Sequence, residues 1–282
     1  MNTAKFRYLF PLIGTTIVLL NWWINPVLPD QLVYDVSRFA RFSLLETHWL
    51  YALVLLCSFL PVFALSWDRK VAYYRSWRQL FPAITAVALV FVGWDVFFTI
   101  KEVWEFNSTY YYGWRLAHLP IEEWLFFFIV PFCSIFIYEC LNAYFPTDHL
   151  AKADFWLTPT LGSLALLIGL IYWQHMYTAT TFLLTGGFLL FHFWWFENTY
   201  RTRFLRAYVL ILIPFLMVNG VLTGGFTEQP VVVYNPDEYL GIRIQSVPLD
   251  DSVYGFLMLF AAVTLLENAR NIARVRGRHR SA

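Results

Sequence analysis

The sequence predicts an all-α integral membrane protein of about eight transmembrane helices, arranged as two parallel internal repeats. Three observations carry that reading. Hydrophobic residues make up 59% of the chain and charged residues only 14%, whereas soluble domains run at roughly 45–50% and about 25%; the mean hydropathy is +0.53. Apolar runs of about 17–25 residues, the length needed to span a bilayer, recur along the chain. One acidic motif also occurs twice within the same frame of neighbours.

The spans run near 6–27, 48–66, 80–100, 119–142, 154–173, 178–197, 204–222 and 249–268. The first follows Lys5 and Arg7 as a signal peptide would. It is long enough to cross a bilayer and ends at Asn25-Pro26 without a small-residue cleavage site, so it reads as an uncleaved helix. Next comes an amphipathic stretch, Leu32, Val33, Val36, Phe39 and Phe42 interleaved with Arg38 and Arg41, suited to the plane of the interface.

Basic residues set the orientation. They cluster at the N-terminus, at Arg69, Lys70, Arg75 and Arg78, at Arg201, Arg203 and Arg206, and in the tail from Arg270. With eight spans all four clusters fall on one side, which the positive-inside rule makes cytoplasmic. The expectation is a multi-pass protein of the inner (cytoplasmic) membrane with both termini in the cytoplasm and loops 101–118 and 223–248 outside. A net charge of +1 gives no footprint for nucleic acid. Cys57, Cys133 and Cys140 lie inside apolar runs without metal or disulfide spacing and read as small core residues.

The fourth span opens with Pro120-Ile121-Glu122-Glu123, and the eighth with Pro248-Leu249-Asp250-Asp251, 128 positions on. The same offset carries Phe98-Thr99 onto Phe226-Thr227, Asn107 onto Asn235, Gly113 onto Gly241, Arg115 onto Arg243 and Glu139 onto Glu267. Four helices separate the copies. An even number makes the repeats parallel, so both acidic motifs reach the same depth on the same side. A proline and carboxylates in a first helical turn are also an ordinary helix start, favoured by the dipole, and Ser246 is placed to cap the second copy. Duplication at the mouth of a membrane bundle favours function, since acids embedded in a membrane are expensive. Neighbouring helix positions point about 100° apart, so two carboxylates converge most readily if each helix contributes one. A carboxylic acid held beside a carboxylate is an acid–base pair.

The stretches "LFPAITAVALVFVGWDVFFT", "WEFN" and "LPIEEWLFF", with the echoes "YNPDEYLGIRI" and "VPLDDSVYGF", resemble the membrane-integral lycopene cyclases, non-flavin enzymes with Pro-x-Glu-(Glu/Asp) motifs whose two homologous halves are separate subunits or fused. The resemblance covers roughly residues 48–270 and implies a fused form. It divides the chain into an extra helix and interfacial segment (1–47), a first repeat (48–145), a linking helix (146–177), a second repeat (178–270) and a basic tail (271–282). It departs at Asp250, where the family carries Glu.

The resemblance implies proton-initiated cyclisation of lycopene, or a related acyclic carotenoid drawn from the membrane lipid, to β-rings without a cofactor. Glu122, Glu123, Asp250 and Asp251 are the catalytic candidates. Asn107, Arg115, Asn235, Arg243, Asp95 and Glu102 are candidates for support. Nearby tryptophans and tyrosines can stabilise a cation, although they also collect at membrane interfaces. Glu139 and Glu267 lie about 25 Å along their helices from the motifs and read as structural; His118 reads as interfacial, and His192 has no visible partner. A proton-coupled transporter is the alternative, but the acids begin helices rather than interrupt them. A dinucleotide fold lacks its glycine fingerprint, no metal-ligand cluster is visible, and prenyl transfer lacks aspartate-rich motifs.

Overall fold

A computed structural model describes residues 40–280. The expected span 6–27 and residues 32–39 of the amphipathic stretch lie outside the described residues. Seven helices follow: α1 (Leu50–Leu65), α2 (Trp77–Ile100), α3 (Ile121–Tyr144), α4 (Asp154–Ile171), α5 (Met176–Trp195), α6 (Arg201–Leu222) and α7 (Leu249–Arg280). By length and composition six can cross a membrane, and α1 is a shorter apolar helix of 16 residues. A helix satisfies its own backbone hydrogen bonds, which is what a spanning segment requires. Leu89, Val90, Val209, Ile213 and Met217 are exposed on outer faces, where hydrocarbon is their solvent. α7 outruns its expected end at 268. Its continuation contains no proline, and Arg270 is anchored through Nη1 to Glu139 and Glu267 (2.8 Å each) and through Nη2 to Ser76 (2.7 Å).

Helices α1–α3 repeat as α5–α7, and α4 links the halves. Across the halves α2 packs on α7 and α3 on α6. α4 lies tightly against α5, because a Cβ on Gly186 would stand 2.6 Å from the Gly162 carbonyl oxygen. Its first turn is pinned by Arg201, only 2% exposed, which forks onto both Asp154 oxygens and donates to His192 Nδ1 at 2.9 Å. His192 Nε2 meets the Tyr200 hydroxyl at 2.9 Å. Those partners come from the folded arrangement and were not visible as a motif.

The connections at the motif end contain strands that an all-helical expectation omits. They are β1 (Trp104–Phe106), β2 (Arg115–Leu116), β3 (Leu119–Pro120), β4 (Val232–Tyr234), β5 (Arg243–Ile244) and β6 (Val247–Pro248). β2 and β3 form a hairpin around Ala117 and His118, both with positive φ, the backbone of a type I′ turn. β5 and β6 pair in the same register, but of their two turn residues only Gln245 has positive φ. β1 and β4, one from each half, pair antiparallel with Glu105 opposite Val233. Those two residues are 128 positions apart, so the pseudo-twofold axis relating the repeats passes through this pair.

Offset 128 holds for the strands and for α3 with α7, but not throughout. Val103 N–H donates to the Phe98 carbonyl and Val231 N–H to that of Leu222, so Phe98 corresponds to Leu222 and not to Phe226. Buried positions agree: Leu80, Val87, Phe91 and Asp95 on α2 match Phe204, Ile211, Phe215 and Asn219 on α6. The longer turn after α6 absorbs the four-residue difference. Ser246 also departs from its expected role. It is fully buried, accepts from the Thr223 hydroxyl at 2.8 Å and donates to the Gly220 carbonyl at 3.2 Å, tying β6 to the end of α6 rather than capping α7.

Candidate active site

The four motif carboxylates separate into two kinds. The first of each pair fastens the loop that precedes it: Glu122 Oε1 accepts the Tyr112 backbone N–H at 2.8 Å, and Asp250 Oδ2 accepts that of Leu240 at 3.3 Å. Asp250 Oδ1 also accepts the Thr178 hydroxyl at 2.6 Å. The corresponding position in the first half is Ala52, and Glu122 Oε2 is buried without a partner among the described residues.

The second carboxylate of each pair turns inward. Glu123 and Asp251 line one cavity between the halves, with Asp95 of α2 as a third carboxyl. Tyr51, on the first turn of α1, donates its hydroxyl to Glu123 Oε2 at 2.5 Å. Its counterpart Tyr177, on the first turn of α5, donates to Asp251 Oδ1 at 2.7 Å, and Tyr234 of β4 donates to Oδ2 at 2.8 Å. Both oxygens of Asp251 are thus occupied as acceptors, and one of Glu123. Burial, and next the neighbouring Asp251 carboxylate, hold the Tyr234 phenol well above its ordinary pKa, so it remains a protonated donor. Glu123 interacts electrostatically with both Asp251 and Asp95.

The rest of the wall is mostly aromatic, with Trp104, Phe106, Phe126, Phe127, Phe215 and Tyr254, and is completed by Asn219, Leu222, Val232, Gly255 and Met258. Among the described residues, no lysine, arginine or histidine lines the cavity. Among the described residues, the buried Tyr254 hydroxyl has no hydrogen-bond partner, and Asp95 and the Trp104 indole N–H have only each other within reach. Asp95 corresponds to Asn219 in the second half, and both line the cavity.

The other candidates serve the loops. Asn107 and Asn235 each hold a turn, accepting the N–H of Thr109 (3.0 Å) and Asp237 (3.1 Å). Arg115 Nε donates to Tyr111 at 2.6 Å and Arg243 Nε to Tyr239 at 3.0 Å, a repeated pair. Arg243 also lies 5.7 Å from the Tyr234 ring and so touches a residue that holds Asp251. Glu102 is exposed, in a positive-φ turn after α2 (φ 57°), and is not among the residues that line the cavity. Glu139, near the far end of α3, and Glu267, midway along α7, are both bound to Arg270.

A two-repeat membrane bundle whose halves enclose a cavity lined by three carboxyls defines a class: a membrane-embedded enzyme built from duplicated halves. The family model described as lycopene cyclase matches residues 48–141 and again residues 174–269. The chain belongs to the lycopene cyclase family, and its function is that of a carotenoid cyclase. Neither the curated proteins nor the solved structures gave a match.

Proposed function

We propose that this protein cyclises the ψ-ends of lycopene to β-rings by a proton-initiated, redox-neutral reaction in the cavity between its halves. The observation that carries this is the convergence of Glu123 and Asp251, one from each repeat, in a cavity whose other walls are mostly aromatic and aliphatic, with Asp95 and Asn219. Carboxyls that face one buried cavity compete for protons, so one can hold a proton while another stays ionised. Glu123 accepts a single hydrogen bond and is the proton donor to the terminal alkene. Asp251, with both oxygens already held by phenols, is the ionised partner that takes the ring proton.

Between these steps the cation formed at the protonated alkene is attacked by the neighbouring double bond, closing the ring. One proton enters and one leaves; no electrons are exchanged. Ring faces along the wall stabilise the positive charge, and the many apolar side chains around them limit its capture by water. Asp95, which lines the same cavity beside Glu123, relays the proton from Asp251 back to Glu123 after each turnover.

The three basic clusters within residues 69–275 lie at the helix ends opposite the acidic motifs. We infer from them that the cavity is near the outer face of the inner membrane and the C-terminus is cytoplasmic. Expression in a lycopene-accumulating bacterium, with pigment analysis, is the test. Accumulation of a β-ringed product is expected; unchanged lycopene beside a well-expressed, membrane-inserted protein would overturn the reading.

A further inference from the structure

A long polyene needs somewhere to lie while one end reacts, and the two halves are not equal in providing it. Between α1, α3 and α6 runs an apolar groove whose walls include Val62, Val130, Ile137 and Val218. Phe215 and Asn219 line both this groove and the acidic cavity. From Glu123 to Ile137 the pair extends roughly 21 Å along α3, at about 1.5 Å per residue. Gly255 keeps the junction passable: its missing side chain leaves room for the Phe215 ring, which would stand 2.9 Å from a Cβ there.

Pseudo-symmetry calls for a second groove between α5, α7 and α2. There the counterpart of Val218 is Trp94, whose ring packs against Tyr254 (5.2 Å) and Phe91 (5.5 Å). Val62 is matched by Phe188. A valine-lined passage on one side thus faces an aromatic plug on the other.

The geometry points to the α1/α3/α6 groove as the binding site for the linear polyene chain of the substrate, which enters from the lipid on that side only and passes Phe215 to present one end to Glu123. This rests on the cyclase reading of the cavity and adds the path and handedness of binding. A consequence is that the two ends of a symmetric substrate react one at a time, with release and reversal between them.

The test uses the full chain in a lycopene-accumulating host and, after purification, in liposomes. V218W and I137W plug the groove at two depths; W94V opens the opposite side. Wild type, each variant, and each variant on an E123Q background are compared for cyclised product and for acyclic polyene co-purifying per mole of protein, read by visible absorption. Expected are a loss of at least tenfold in product for V218W or I137W, loss of the polyene retained by E123Q alone, and near wild-type turnover for W94V. The variant that purifies as a monodisperse membrane protein decides the matter. If the plugged variants cyclise and retain polyene like wild type, the groove holds only lipid acyl chains and the inference fails while the cyclase reading stands. If wild type itself makes no cyclic product, the cyclase reading fails first.

Discussion

Replacing Glu123 and Glu122 separately by glutamine gives the sharpest test of the site, because the residues are neighbours in sequence yet face different surroundings. Glutamine keeps size and one carbonyl acceptor but cannot deliver a proton. At 123 the side chain lines the cavity and receives the Tyr51 hydroxyl. General acid–base groups contribute about 10²–10⁴-fold, so E123Q is expected to lose at least two orders of magnitude in turnover. At 122 the Tyr112 N–H still finds an acceptor in glutamine. The loss there is the charge at a helix N-terminus, about 0.3–1 kcal/mol, which lowers stability slightly and turnover less than about tenfold. Initial rates of lycopene consumption in liposomes, normalised to folded protein, separate these outcomes. If E122Q is as inactive as E123Q while melting within a few degrees of wild type, the division of the four carboxylates into two kinds is mistaken.

Further outcomes are expected elsewhere. Y177F and Y234F each remove one O–H donor from Asp251; at about 1.5–3 kcal/mol for a hydrogen bond to a charged group, each should slow turnover by roughly tenfold or more, measured in the same assay. A52T should give the orphaned Glu122 oxygen the hydroxyl that Asp250 enjoys, raising stability by about 0.5–1.5 kcal/mol in a detergent melt. Glu238, in the loop before β5, has its pKa pushed up to about 7 by burial. The folded state therefore binds the proton more tightly than the unfolded chain, and stability should fall as pH rises from about 4.5 through 7; E238Q should flatten that decline in melts recorded across the window. Because the proposed reaction is redox-neutral, flavin-stripped and chelator-treated enzyme should keep its activity, and strict dependence on reduced flavin or a divalent metal would overturn the mechanism.

The duplicated Pro-x-acid-acid frame was legible because it is written contiguously in each half. Which carboxylate of each pair turns inward was not: a 100° step separates them, and only the partner helix defines the direction of the cavity. Tyr51 and Tyr177 escaped notice because a lone tyrosine on an apolar helix resembles an interfacial anchor. Their shared place one residue into α1 and α5 was a usable signal, but it falls at a separation of 126 residues, outside the gapless frame. The α2–α6 correspondence was missed for a similar reason, since a longer turn displaces every later residue. Asp95 was legible as an acid near the right end of its helix; its pairing with Asn219 required the packed structure.

The pairing of β1 with β4 acts as a ruler for the whole reaction chamber. Trp104, Phe106, Val232 and Tyr234 line the cavity, while Glu105 between them is exposed. Side chains alternate along a strand, so a slip of one residue would turn the two aromatic anchors away and bring a charge inward. The same ribbon is nearly its own mirror under the twofold, so each half carries an edge able to pair with another copy of itself. Two identical first halves joined in this way would present two glutamates and two Asp95 carboxyls without the phenol from Tyr234. Covalent fusion of unlike halves therefore does more than keep them together: it gives every cavity one glutamate held by a single phenol and one aspartate held by two.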